Sequence, residues 1–167
     1  MKSRVTAELW RLGLAVLWFG MVGAIGFIEA PLKFLAPGIT IPLGLGIGRL
    51  VFTALNISEG LLLVALIAVS LWPRAARPAK DRLLWLVGLA VLFVFKLAVV
   101  RPPLNARTDL VLAGADPGQS AWHYVYIACD LVTLALLLVL AFQAARAVRG
   151  LVGARPDPDQ APRPAAA

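Results

Sequence analysis

Residues 83–100 read LLWLVGLAVLFVFKLAVV, eighteen positions with Lys96 as the sole charge. A helix of this composition has no polar face to offer water. At 1.5 Å per residue it comes close to crossing a hydrocarbon layer ~30 Å thick. Three further runs share the pattern. Residues 12–28 carry no charge; residues 50–72 are interrupted by Asn56, Ser58 and Glu59; residues 122–142 are interrupted by Asp130. A helix is the only open segment that satisfies its own backbone hydrogen bonds in lipid. We therefore expect an all-α polytopic membrane protein, a bundle of four transmembrane helices over 9–30, 47–72, 83–101 and 121–143. These form one domain, 1–150, followed by a disordered tail, 151–167.

Composition points the same way. Of 167 residues, 60% are apolar, and the mean hydropathy is +0.84. A soluble domain of this length has more polar surface to show. The formal net charge is +7, but the basic residues fall in blocks between apolar runs. No aromatic and basic interleaving on a polar face accompanies them, so we expect no nucleic-acid partner.

The basic blocks set an orientation. The N-terminal arm, the connection around residues 74–82 and the C-terminal tail together carry eleven Lys and Arg. The other two connections carry four: Lys33, Arg49, Arg101 and Arg107. The positive-inside rule then puts both termini in the cytoplasm and the protein in a bacterial inner membrane. Trp10, Trp72 and Trp85 near the inner ends, with Trp122, Tyr124 and Tyr126 near the outer end of the fourth run, suit the two interfaces. The basic start followed by an apolar run also resembles a secretory leader. That run exceeds the usual leader core, and no clear small-residue cleavage site follows it, so we expect it to remain as a helix.

Residues 31–48 form an apolar stretch rich in proline and glycine, in which Pro31, Pro37 and Pro42 argue against a continuous helix. Gly44, Gly46 and Gly48 do not make a phosphate loop: no strand precedes them and no Lys-Ser/Thr follows. Residues 101–121 read as a polar loop with a turn at Asp116-Pro117-Gly118. Gly13, Gly20, Gly23 and Ala24 supply small-xxx-small spacings that suit internal helix packing. Cys129 is the only cysteine, and in an apolar run it reads as a buried, inert thiol. One histidine and scattered carboxylates do not make a metal site, and no cofactor motif is present.

What remains is a set of polar residues in the wrong solvent. Ionised groups inside a bilayer cost at least ~2.5–3.5 kcal/mol on insertion scales, so each needs a reason. Glu59 lies ten residues past Arg49, about 15 Å deep, and Asp130 seven past His123, about 10 Å. Lys96 falls in the outer half of its run, and Glu29 and Arg101 close the outer ends of theirs. Three acids (Glu29, Glu59, Asp130) and three bases (Arg49, Lys96, Arg101) would make a neutral cluster. Arg49, Phe52, Asn56 and Glu59 share one helix face; His123, Tyr126, Asp130 and Thr133 share another. We expect these faces to meet around a pocket in the periplasmic half that binds a small polar or anionic ligand or protons. Interhelical ion pairs that merely fix register are the alternative, as is an assembly subunit without a ligand. No catalytic residue is assigned, and a binding protein is expected before an enzyme.

Two resemblances accompany this reading. Trp18-Phe19-Gly20, then Phe27, Ala30-Pro31, Phe34, Gly48-Arg49 and Phe52, resembles the first half of a bacterial four-helix family related to the transmembrane-protein-205-like proteins. Arg101, Arg107 and His123 continue the pattern. That family implies the fold and supplies no mechanism. Separately, Arg49, Asn56, Ser58 and Glu59 resemble the second-helix motif of the MAPEG membrane enzymes, where such positions hold glutathione. This resemblance implies a glutathione-dependent enzyme. Gly48 and Gly60 stand where that motif has an acid and a tyrosine.

Overall fold

The computed structural model describes residues 2–72, 74–118 and 120–153. Among these, all regular structure is helical. Four helices are long and apolar enough to cross a membrane: α1 Ser3–Leu35, α2 Ile41–Leu71, α3 Lys80–Leu112 and α4 Ala121–Gly153. Short connections make them run alternately up and down. α1 packs against both α4 and α2, α3 packs against α4, and a thinner α2–α3 contact closes the ring. We call the end that holds the N-terminus and the last residues of α4 the terminal end, and the opposite one the distal end.

The core lies along the bundle axis. Ala15, Trp18 and Val22 of α1 meet Leu55, Leu63 and Leu66 of α2, Leu86 and Leu89 of α3, and Leu137 of α4. α1 is thus an integral quarter of the bundle. The outward faces are apolar too: Val16, Leu17, Leu50, Leu61, Val91 and Leu138 are all more than half exposed. In water such a continuous belt would be an aggregation surface.

The helices outrun the expected spans. α1, α3 and α4 have 33 residues each and α2 has 31, so each is close to 50 Å long. Most of the stretch expected to be an apolar loop at 31–48 is helical. Of its three prolines only Pro37 falls in the break between α1 and α2. Pro42 occupies the first turn of α2, where a missing N–H costs nothing, and Thr40 caps that turn by accepting from the Leu43 N–H at 3.3 Å. Gly38 makes the preceding bend with φ +82°. Likewise the polar loop expected from 101 begins only at 113, because α3 continues to Leu112.

Proline inside a helix would collide with the carbonyl four residues back. The chain avoids this by widening the preceding turn. Residues Ala24–Glu29 form a π turn just before Pro31, and Lys96–Val100 form another just before Pro102 and Pro103. In each, the residue ahead of the proline donates five residues back: Ala30 N–H to Ile25 O, and Arg101 N–H to Lys96 O. Both wide turns lie toward the distal end.

The small residues of α1 do not mediate internal packing as expected. A Cβ built on Gly13, Gly20 or Gly23 meets nothing within 4 Å, because α1 turns its Ala15–Trp18–Val22 face inward instead. Close approach belongs to Gly44 of α2, where a Cβ would run into the Phe34 ring. The glycine-rich start of α2 is a seat for the end of α1. The expected tail from 151 lies outside the described residues from 154 onward.

Candidate functional site

Beneath the distal end, three ionisable side chains from three helices meet. The Lys96 ammonium of α3 donates to both Glu59 oxygens of α2, at 2.9 and 2.8 Å, and to Asp130 Oδ1 of α4 at 2.8 Å. The fourth helix joins through Trp18, whose indole N–H donates to Glu59 Oε1 at 3.0 Å. Glu59, Lys96 and Asp130 are 0%, 1% and 2% exposed. Charges this deep persist only when paired with good geometry. Here the pairing is uneven: two carboxylates face one ammonium. Glu59 spends both oxygens on three donated bonds. Asp130 spends one, and its Oδ2 lies 3.6 Å from where a Gly26 Cβ would stand.

A second polar layer adjoins it. Tyr126 donates from its hydroxyl to Asn56 Oδ1 at 3.2 Å, and its ring lies 5.3 Å from Lys96 Nζ and edge-on to Phe52. Thr133 is buried and donates back to Cys129 O at 2.9 Å. Cys129 is buried as well.

Above this floor is a cavity of about 710 Å³, in the range that suits small-molecule sites. Asp130, Tyr126 and Gly26 line its deep part; Phe27, Phe34, Phe52 and Leu104 supply apolar wall. Four fixed cations also line it: Lys33, Arg49, Arg101 and Arg107. Lys33 pairs with Glu29 at 3.4 Å, and Arg49 with Asp109 at 2.6 Å. Arg101 donates to Phe52 O at 3.1 Å and to Thr53 Oγ1 at 2.5 Å; Arg107 donates to Pro117 O at 3.2 Å. Neither of the latter two has a carboxylate partner among the described residues. Arg49 Nε, though buried, has no acceptor there.

The nine residues expected at one site are thus distributed. Glu59, Lys96 and Asp130 converge, with Tyr126 and Asn56 beside them. Arg49, Arg101 and His123 line the cavity, and Tyr126 and Asp130 belong to both levels. Asn56, Glu59 and Lys96 are sealed below it, so of the four residues that resemble the glutathione-binding motif, Arg49, Asn56, Ser58 and Glu59, only Arg49 lines the cavity. Glu29 stands at its edge as the partner of Lys33. His123 is exposed, with its ring near Tyr124.

The neutral cluster of six does not form. Glu29, Arg49 and Arg101 stand nearer the helix ends, within reach of Lys33, Asp109 and backbone oxygens, and the buried group is left with one excess acid. Tyr126 is 7% exposed and interior, whereas Trp10, Trp72, Trp122 and Tyr124 are exposed as ring belts require.

Four contributors lie outside the nine: Trp18, Lys33, Asp109 and Arg107, the last read from the sequence as part of a polar loop. Trp18 carries a signal in its position: mid-run, where an indole N–H needs an acceptor. Lys33 and Asp109 gave none, because their stretches were expected to be loops. A second charged cluster, at the terminal end, was hidden for the same reason. Arg11, 7% exposed, donates to Glu8 at 2.8 Å, Val69 O at 2.9 Å and Ala76 O at 2.6 Å; Arg82 donates to the same Glu8 oxygen at 3.1 Å.

Comparison with known proteins finds no match, whether among family models, curated proteins or solved structures.

Proposed function

We propose that the chain is a multi-pass protein of a bacterial inner membrane, its termini cytoplasmic, that binds a small organic anion in a cavity opening toward the periplasm. The observation that carries the reading is the cavity itself: four fixed cations around an aromatic and aliphatic wall, two of them without a carboxylate among the described residues. Guanidinium groups held this way bind carboxylate, sulfonate or phosphate oxygens through several hydrogen bonds at once. The apolar belt on the outward faces supports membrane insertion, and the eleven-to-four division of basic residues supports the orientation.

The bundle favours binding over passage. Below the buried acids the core is a plug of Leu63, Leu66, Leu86, Leu89 and Leu137, and the terminal end is tied by Arg11.

Octane-1-sulfonate is a suitable probe, since it joins a fixed monoanion to a short apolar tail. Titrated calorimetrically into the protein in nanodiscs, it binds with 1:1 stoichiometry and outcompetes inorganic sulfate. The combined Arg49→Gln, Arg101→Gln variant loses at least tenfold in affinity. Undiminished affinity in that variant, or no binding by the native chain, refutes the reading.

A further inference from the structure

Resting on the anion-binding reading above, we infer that the site takes up its anion together with one proton, and that the proton resides on the Glu59–Asp130 pair, at Asp130.

Two carboxylates share a single ammonium in a group whose members are at most 2% exposed. One proton on the pair makes this group neutral; without it the floor of the cavity carries an unbalanced negative charge. Two like charges held close in a water-poor site are costly together, and a single proton shared by the pair removes that cost. An anion entering the cavity adds a third negative charge next to the same floor. It binds more readily when the proton is present, and by linkage its binding draws the proton in.

Geometry selects the carrier. Glu59 accepts from Lys96 twice and from Trp18 once, and it does not line the cavity. Asp130 accepts from Lys96 through Oδ1 alone, and it does line the cavity beside Gly26. Protonated at Oδ2, its carboxyl gains a donor for a ligand oxygen while Oδ1 keeps its bond to Lys96. Lys96 of α3 holds Asp130 directly, and Glu59 of α2, itself hydrogen-bonded to Trp18 of α1, shares that ammonium. The cavity that Asp130 lines is lined also by Lys33 of α1, Arg49 of α2, Arg101 and Arg107 of α3, and Tyr126 and His123 of α4. The cavity cations attract the anion. His123, exposed at the rim, is the competing proton acceptor that the experiment must separate.

The probe is again octane-1-sulfonate, which stays a monoanion throughout the accessible pH range. Added to the native protein in weakly buffered nanodiscs with a pH-indicator dye, in the pH range where the Kd depends on pH, each sulfonate bound draws one proton from solution onto the protein. Above the pH at which the pair titrates, its Kd rises tenfold per pH unit. In Asp130→Asn, neutral at every pH, that slope vanishes. Sulfonate binding without proton uptake by the native protein overturns the inference and leaves the anion site standing. Loss of the slope in His123→Gln but not in Asp130→Asn overturns it too. Absence of sulfonate binding removes the anion site itself, so the two failures are distinguishable. The native measurement decides the matter even where Asp130→Asn does not fold.

Discussion

The two ends of the bundle use the same residue types to opposite effect. At the terminal end Arg11 spends its donors on Glu8 and on two main-chain carbonyls, Val69 in the last turn of α2 and Ala76 beyond it, and Arg82 reinforces the same carboxylate. The adjoining void measures about 20 Å³, room for about one water. At the distal end Arg101 and Arg107 bind, among the described residues, neutral oxygens only, and the cavity they help line measures some 710 Å³. A guanidinium paired with a carboxylate acts as a tie. One resting on carbonyls stays a net cation and leaves its field available to something else. Partner chemistry, more than the presence of arginine, separates a closed end from a receptive one.

That contrast can be broken at several points. The largest effect is expected between the two ends, at Lys96→Met, which strands two buried carboxylates. Removing one side of a buried pair costs about 3–5 kcal/mol, readable as a lower midpoint in SDS-induced unfolding of the micelle-bound protein. Adding Glu59→Gln and Asp130→Asn to it recovers most of the loss, if charge rather than shape is what Lys96 supplies.

Arg11→Met comes next, at about 2–3 kcal/mol, since charged donors to carbonyls are lost while Glu8 keeps Arg82. Octane-1-sulfonate affinity stays within twofold of native there, because the tie lies at the other end; a larger change would couple the ends and undo the comparison. Gly44→Ala pushes a methyl into the Phe34 ring and costs about 1–3 kcal/mol, with sulfonate affinity falling as Lys33 shifts. The smallest stability change, under about 1 kcal/mol, belongs to Asp109→Asn, whose carboxylate is 65% exposed. This variant sharpens the contrast instead of breaking it: freed of its partner, Arg49 makes the cavity more cationic, and sulfonate binds a few-fold tighter.

How much of this was legible in the sequence follows from range. The four apolar runs declare four helices, because hydropathy is local. The inward faces of α2 and α4 are legible too: Arg49, Phe52, Asn56 and Glu59 keep their spacing, as do Tyr126, Asp130 and Thr133. Helix ends were not legible, since Pro31 and Pro42 look like breakers until a wide turn and a first-turn position accommodate them. With the ends misjudged, Glu8, Lys33 and Asp109 had no visible neighbours. The resulting assignment of six charges to one neutral group failed because pairing depends on which side chains come within about 4 Å, a tertiary fact.

The wide turn at 96–100 has one further consequence, for register. It holds an extra residue, so the wheel beyond it is offset by about 100°. The inward line of α3 runs through Leu86, Leu89, Lys96 and Val100, then steps over to Arg101, Leu104, Asn105 and Thr108. Deleting a single residue from that turn would restore an ordinary α pitch and swing this whole arc of the rim away from the floor. Every lining side chain would keep its identity and lose its aim, so chain length at this point governs the alignment of Arg101 with Asp130 as surely as either residue does.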